Sequence, residues 1–556
     1  MASTDRTPGA GANAPGTRVP GRRAPGARTA EPRTPEPAIP GLHADAVVVG
    51  AGPVGLLLAG ELRLGGADVL VVERLVEPTT ESRASTLNAR TLELLDSRGL
   101  LAAFGALPHD SRGHFGGIPL DLAGPGPYAG QWKAPQTATE AHLASWAADL
   151  GVRVLRGHEV HGVEQDAGHV DLLARTPDGT TTRIRARYAV AADGQDSTVR
   201  EVLGADFPGL PAERELLRAD VAGLDIPDRR FERLERGLAI ASRRGDGVTR
   251  VMVHEFGAQP SPGRSTAFAT VADTWKRVTG EEIGHGAPLW AGSFDDAARQ
   301  LAHYRDGRVL FAGDAAHRHL PVGGQALNLG LQDAFNLGWK LAAAVRAEAA
   351  GSPAFADLLL DSYHAERHPV GRQVLTSVRA QALLLLGGPD VDPVRAVFEE
   401  LIALPPARRH LAGAVSGLDT RYDLDGGHPL AGGLLPHLPL RTRPDLPAEV
   451  TSSAALLRDG RGVLLDLTGD ARHGERLARA VAPWAGRVRH VRARTSGADA
   501  ERLAGVGAAL VRPDGVVAWA AGQDPTPARA LAAARRSLRR WFGPPARSAT
   551  GRPSSP

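Results

Sequence analysis

Apolar and polar positions along this chain switch between two periods, and the switches mark out its elements. A short buried-type strand, Ala44-Asp45-Ala46-Val47-Val48-Val49, runs into a glycine turn. Pro53 then opens a helical segment that reaches about Leu64 and stops at Gly65-Gly66. A second strand, Asp68-Val69-Leu70-Val71-Val72-Glu73, completes a βαβ start. A helical pattern from about Ala138 to Leu150 leads to strand-like Val152-Arg153-Val154-Leu155. Alternating runs around Val160 to Val163 and Val170 to Leu173 then predict a small antiparallel sheet. From about 210 to 300, short β-like runs alternate with turns such as Pro262-Gly263. Buried-strand character returns at Arg308-Val309-Leu310-Phe311-Ala312-Gly313-Asp314, followed by a loop, a helix from about Leu329 to Val345 and further helical segments to about Leu411.

A Pro-rich connector, Leu434 to Pro447, precedes a last unit. That unit holds a strand at Val463 to Leu467, a hairpin from Ala509 to Trp519 turning at Pro513-Asp514-Gly515, and a final helix ending near Trp541. Residues 1–43, rich in Gly, Pro, Ala and Arg without apolar periodicity, are too poor in buriable surface to offset ordering entropy and are expected to be disordered, as is 544–556. The prolines and glycines there also disfavour the amphipathic helix of a transit peptide. The expected organisation is thus a discontinuous nucleotide-type domain over 44–210 and 300–412, a substrate-facing middle domain over 211–299, a linker over 413–449 and a carboxy-terminal domain over 450–543.

Composition narrows the chemistry. With 556 residues, 42% hydrophobic and 23% charged, the chain can bury a sizeable core, and its apolar runs fall short of a membrane span. The expectation is a cytoplasmic enzyme. Cysteine is absent, which excludes disulfides, thiolate nucleophiles, iron–sulfur clusters and dithiol exchange, so redox work falls to a cofactor. The net charge of +3 traces to the segment before His43, where Arg6, Arg18, Arg22, Arg23, Arg28 and Arg33 face Asp5, Glu31 and Glu36. The remainder has no basic stripe suited to nucleic acid.

Three stretches carry candidate chemistry. In Gly50-Ala51-Gly52-Pro53-Val54-Gly55, Gly50 makes the tight turn, Gly52 admits a pyrophosphate to the backbone and Gly55 lets helix and strand pack closely. The helix start presents free N–H groups to phosphate, and Glu73, followed by Arg74, ends the second strand where a carboxylate accepts from a ribose. Asp193-Gly194 follows the strand Tyr188-Ala189-Val190-Ala191-Ala192. Gly313-Asp314 ends another strand, with Pro321-Val322-Gly323-Gly324 and a helix start near Asn328 after it, where free N–H groups would stabilise negative charge on a reduced ring.

In that order and setting, the three stretches resemble the FAD-dependent group A aromatic hydroxylases, with the para-hydroxybenzoate hydroxylase fold, over roughly residues 44 to 410. Gly307 to His317 is the most specific string, and Arg83 to Glu93, Pro135-Gln136-Thr137 and Gln332 to Leu341 support it. The nearest likeness is to aromatic polyketide hydroxylases, a branch with a carboxy-terminal thioredoxin-like domain, which 450–543 is similar to in strand and hairpin order. The fold class expected is therefore α/β: a Rossmann-type FAD-binding domain, a β-rich substrate domain and a thioredoxin-like domain. Without cysteine, that last domain is expected to be structural or to mediate oligomerisation.

The resemblance implies roles. Arg83 would contact the FAD pyrophosphate and the nicotinamide cofactor, Gln136 the ribityl or phosphate region, and Asp193 the dinucleotide. Asp314 would hold the ribityl chain, Pro321 and Gly324 would line the ring, and the backbone at Leu327 and Asn328 would meet its pyrimidine carbonyl. Ala326 stands where the family has a further glycine, placing a methyl group beside the ring. The implied reaction uses non-covalent FAD, NADPH as co-substrate and O2. A flavin C4a-hydroperoxide hydroxylates a polycyclic phenol, and the protein supplies a dry pocket and orientation. A catalytic base is not legible; His254 and Glu255, in a β-like run of the middle domain, are substrate-side candidates. No metal, nucleic-acid or membrane partner is expected, and the state is monomer or homodimer. Baeyer–Villiger oxidation of a polyketide ketone is the nearest rival, and a non-catalytic FAD-fold ligand-binding protein the rival of another class.

Overall fold

A computed structural model describes residues 41–80, 84–244, 246–260, 266–424, 427–442, 451–495, 498–523 and 527–546. Arg83, the Pro262-Gly263 turn, residues 1–40 and residues 547–556 lie outside the described residues.

The chain enters a parallel sheet at β1 (Leu42–Val49), crosses over through α1 (Pro53–Leu64) and returns in β2 (Val69–Glu73). After α2 (Gln136–Asp149) come β3 (Arg153–Arg156), β4 (Glu159–Gln165), β5 (Val170–Arg175) and β6 (Thr181–Ala191). The sheet is completed by β12 (Val309–Phe311), with parallel order β12-β6-β1-β2-β3. β1 begins at Leu42 because Leu42, His43 and Ala44 pair with Ile184, Arg185 and Ala186 of β6. β4 and β5 do not form a sheet of their own: β6 runs to 11 residues, so its first half pairs antiparallel with β5 while its second half pairs with β12. Buried Val47, Val48, Leu70, Val71, Ala189, Val190 and Leu310 make the central strands continuous apolar runs, as a sheet covered on both faces requires. Gly60 of α1 lies beneath the Trp146 ring of α2.

Between β6 and β12 the chain builds a five-stranded antiparallel sheet from β7 (Glu215–Ala222), β8 (Arg229–Leu234), β9 (Gly237–Arg243), β10 (Val248–Glu255) and β11 (Ala287–Asp295), in order β8-β9-β10-β7-β11. Period 2 divides its faces. Leu217, Ala219, Val221, Ala239, Val251 and Val253 bury against α3 (Phe268–Thr279), a helix that the β-like reading of this region misses. The other face looks toward the parallel sheet's loops.

α4 (Gln325–Ala349) starts four residues ahead of the expected Leu329, because Gly323 (φ 66°) and Gly324 (φ 69°) turn the chain directly into it. α5 (Pro353–Leu386) runs on beside it, and helices Asp392–Ala403 and Pro405–Ser416 follow.

The carboxy-terminal sheet comprises β13 (Leu440–Thr442), β14 (Gly462–Asp466), β15 (Val488–Thr495), β16 (Val506–Val511) and β17 (Val517–Gly522) in order β13-β15-β14-β16-β17. β14 and β15 are parallel across helix α6 (Ala471–Val481), the remaining pairs are antiparallel, and α7 (Pro527–Phe542) closes the unit in a thioredoxin-like arrangement. Leu435, Leu438 and Leu440, from the segment read as a connector, are buried in this unit's core.

Candidate functional site

Three loops meet at the carboxyl ends of the parallel strands, where α/β sheets bind ligands. Gly50 (φ 104°) packs so closely on the end of β6 that a Cβ would collide with the Ala192 carbonyl and lie 3.1 Å from Asp193 Cα. A Cβ on Gly55 would strike the Gly50 carbonyl, whereas at Gly52 it would meet nothing within 4 Å. Pro53 occupies the first helical turn, no side chain caps α1, and Val54 packs on Gly313 and Gly330. The glycine turn thereby touches both of the other motifs. Glu73 receives Ala51 N–H at 2.7 Å on one oxygen and Leu75 N–H at 2.8 Å on the other, so its carboxylate pins the glycine turn to the end of β2. Arg74 beside it is exposed.

Asp193 accepts Val199 N–H at 3.1 Å, and its burial raises the carboxyl pKa against the hydrogen bonds that lower it. Gln136 accepts Ala84 N–H at 3.3 Å, tying α2 to the strand Thr86–Asn88 just downstream of Arg83. Asp314 sits in a single 3-10 turn, Gly313–Ala315, that ends β12. Asn328 is wholly engaged as a clamp: its oxygen accepts Asn88 N–H at 3.0 Å, and its amide donates to Thr86 O at 2.9 Å and Gly324 O at 2.6 Å. No side chain caps α4, so the backbone N–H groups of its first turn, through Ala326 and Leu327, stand ready for an acceptor. An open approach at Gly52, two uncapped helix starts and two strand-end carboxylates fit the diphosphate and ring of a dinucleotide.

Beyond Pro321, Val322, Gly324, Ala326 and Leu327 opens a cavity of about 1300 Å³ whose opposite wall is the antiparallel sheet. Its wall is graded along the strands. The row Leu216–Phe294 is apolar and packs with Leu320, Val322 and Leu385; the next row holds Arg218, Met252 and Ile240; the last holds Asp220, Arg250, Ser242 and Trp290. On the loop side, His114 lies buried 4.0 Å from the Phe231 ring and accepts Gly117 N–H; burial, with Arg230 and Lys133 nearby, takes its pKa down to about 4.

His254 and Glu255 are not on this wall. Both nitrogens of His254 lie against backbone carbonyls, Glu215 O at 2.8 Å and Leu386 O at 3.0 Å, and Glu255 pairs with Arg277 at 2.8 Å. Sequence reasoning also misses the buried set behind Gly313. Asp333 of α4 lies 3.2 Å from Gly313 N, 2.7 Å from His317 Nε2 and 2.7 Å from Arg367 Nε. The signal available was polar spacing inside an apolar helix: Asp333, Asn336 and Lys340 are all buried.

Loops, helix starts and cavity together define a dinucleotide-dependent flavoprotein with a large substrate chamber. Residues 43–378 match the FAD binding domain family and 428–545 the aromatic-ring hydroxylase C-terminal family. The chain therefore belongs to the FAD-dependent aromatic-ring hydroxylases and is an FAD-dependent monooxygenase. It is 40% identical to 12-dehydrotetracycline 5-monooxygenase/anhydrotetracycline 6-monooxygenase of Streptomyces rimosus, over 90% of this chain and 99% of that protein. It is 39% identical to rifampicin monooxygenase of Streptomyces venezuelae, over 86% of this chain and 96% of that protein. Among solved structures it is similar to CabE, an aromatic hydroxylase from angucycline biosynthesis, at TM-score 0.82 and 44% identity, covering 90% and 99% of the two chains. Among the described residues no helix is long and apolar enough to cross a membrane.

Proposed function

We propose that this monooxygenase hydroxylates a polycyclic aromatic polyketide, consuming NADPH and O2. The carrying observation is the cavity of about 1300 Å³ between the α4 start and the antiparallel sheet, which is roomy enough for a fused-ring substrate face to face with a flavin. The substrates that name its relatives, anhydrotetracycline and rifampicin, are polycycles of this kind.

In this reading Gly50, Gly52, Pro53, Val54, Gly55, Glu73, Arg74, Arg83, Gln136, Asp193 and Asp314 would hold FAD, and Pro321, Gly324, Ala326, Leu327 and Asn328 would serve its ring. FAD, when bound, accepts reducing equivalents from NADPH and activates oxygen. The chain's own part is to hold and orient. The uncapped α4 N–H groups stabilise negative charge at the ring edge. Leu216, Phe294, Leu320 and Val322 keep water from the reacting face. Asn328 fixes the strand Thr86–Asn88 against that edge. The discontinuous FAD-binding domain and the middle domain frame this site, the carboxy-terminal unit begins ahead of residue 450, and the enzyme works in the cytoplasm as a monomer or homodimer.

The test is NADPH oxidation by the yellow holoenzyme across tetracyclic and angular polyketides, with products identified by mass after 18O2 labelling. Stimulated oxidation with one labelled oxygen on a ring carbon is expected. A ring-expanded lactone would replace hydroxylation by Baeyer–Villiger chemistry, and absence of stimulation across the panel would overturn the reading.

A further inference from the structure

We infer that His114 is a hydrogen-bond donor to the substrate, its Nε2–H taking a carbonyl oxygen (quinone or ketone) on the polycycle beside the ring that reacts. This deepens the hydroxylase reading and rests on it for the identity of the site; its own content comes from how the imidazole is built in.

His114 lies on the strand Arg112–Phe115, which pairs with Ile118–Asp121 through the two-residue turn Gly116-Gly117. Both glycines have positive φ, 58° and 82°, as a tight hairpin turn matched to the strand twist requires. The turn is seated on α5. A Cβ on Gly116 would stand 2.7 Å from Leu384 Cβ, one on Gly117 would stand 2.9 Å from a Leu385 methyl, and Arg395 donates to the Gly116 carbonyl at 2.7 Å. That seat fixes Gly117 N–H, which donates to His114 Nδ1 at 3.2 Å, while the Phe231 ring packs on the imidazole at 4.0 Å between centroids. The same strand lies against the turn Val322–Gly324, so His114 lines the cavity beside the loop that would serve the flavin ring.

The Gly117 contact leaves one tautomer. A ring nitrogen that accepts an N–H has no proton of its own, so an uncharged imidazole here carries its proton on Nε2. Burial, with Arg230 and Lys133 nearby, keeps the ring uncharged. Nε2 makes no hydrogen bond among the described residues, nor is it one of the side-chain atoms sealed inside the protein. A donor held in this way costs little ordering when it binds, and it cannot act as a base, because its one basic nitrogen is taken. Such a group suits a pure acceptor. A ring carbonyl lies in the plane of a flat molecule, where Nε2–H reaches it edge-on, and one such contact fixes which edge of the polycycle comes beneath Ala326 and Leu327. The carboxamide of NADPH carries a carbonyl oxygen too, but His114 is only 7% exposed, which favours a thin aromatic edge over a nucleotide.

The experiment uses FAD-loaded enzyme and two probes of one outline and charge, anthraquinone-2-sulfonate and anthracene-2-sulfonate, with binding read from perturbation of the flavin absorption spectrum. His114→Leu should weaken the quinone about fivefold, the worth of one net hydrogen bond, and leave the affinity for the hydrocarbon and the FAD content unchanged. His114→Gln, whose amide N–H reaches toward the Nε2 position, should restore much of that loss. The infrared carbonyl band of the bound quinone should lie lower in the unaltered enzyme than in an aprotic solvent and return toward the solvent value in His114→Leu, a change that lost packing does not produce. Equal losses for both probes in His114→Leu overturn the proposal, as does no loss for either. So does a carbonyl band at the aprotic value in the unaltered enzyme, which decides the matter even where His114→Leu fails to fold. A titration with NADP+ separates the two carbonyl sources: weaker NADP+ binding in His114→Leu, with both probes unaffected, would assign the donor to the nicotinamide cofactor. Because binding is read without turnover, its failure is distinct from a failure of hydroxylation.

Discussion

Gly50 carries a strict requirement, since its positive φ and its contact with Ala192 each exclude a side chain. Gly50→Ala should yield protein that folds without colour, checked by the flavin absorption of purified enzyme; full FAD content would contradict the packing. Ala326 is the softer case. It adjoins the cavity in the first turn of α4, and Ala326→Gly should alter the rate of flavin reduction by NADPH while leaving FAD bound, measured by anaerobic stopped-flow absorbance. Positions set by local context were readable from their neighbours: glycines in a strand–turn–helix setting, and an acid at the end of β2, whose hold on Ala51 and Leu75 N–H was not foreseen. The surroundings of Arg218 were not, because only strand pairing brings Trp290 and Phe294 beside it.

At the scale of elements, the sheet that faces the cavity is fastened to α5 by His254. Burial, first, lowers its pKa, and the two carbonyls it meets work the other way. A catalytic base at this position would lose turnover on substitution. The structure instead predicts that His254→Gln keeps kcat within about twofold and lowers folding stability by roughly the value of one buried hydrogen bond, about 1 kcal/mol, seen as a lower Tm. Thermal melts beside steady-state rates decide it. α1 was legible to the residue because Gly52-Pro53 opens it and Gly65-Gly66 closes it. α3 was hidden by the β-like runs on either side, although Val271, Trp275 and Val278 have helical spacing. α6 was hidden by its own polarity: its Arg, His and Glu residues leave Gly474, Leu477, Ala480 and Val481 as the buried stripe.

Across the whole molecule, a buried ionic chain joins the carboxy-terminal hairpin to the turn at Gly313 that ends β12. Arg512 reaches Glu366 at 2.6 and 2.8 Å and Asp514 beside it, Lys340 reaches Glu366 at 2.8 Å, and the next residue of α5, Arg367, grips Asp333 behind Gly313. Arg98 reinforces the junction through Glu61 at 2.6 Å and the Leu457 and Pro513 carbonyls at 2.9 Å. Burial would raise the Glu366 carboxyl, but Arg512 and Lys340 override it and hold the group down to about 2. Its folded pKa lies below the unfolded value, so the contribution is complete above about pH 4.5 and fades as pH falls toward 2. Arg512→Met should cost about 3 kcal/mol or more by stranding Glu366 and Asp514, and should flatten the acid limb of a stability–pH curve measured by chemical denaturation. An unchanged acid limb would mean that the chain of charges does not bear on folding. The strands and hairpin of the carboxy-terminal unit could be read from the sequence, and the family resemblance implied its thioredoxin-like character, but its attachment could not be read, since each half of every pair looks like an ordinary surface charge in sequence.

That attachment also sets an order of assembly. Glu366 leaves the ribosome 146 residues ahead of Arg512. A nascent chain can therefore form both halves of the dinucleotide sheet, α4 and α5 while the group that locks α5 has yet to be translated. Ribosome-stalled chains ending before the Pro513 turn are therefore expected to exchange FAD more freely than released chains.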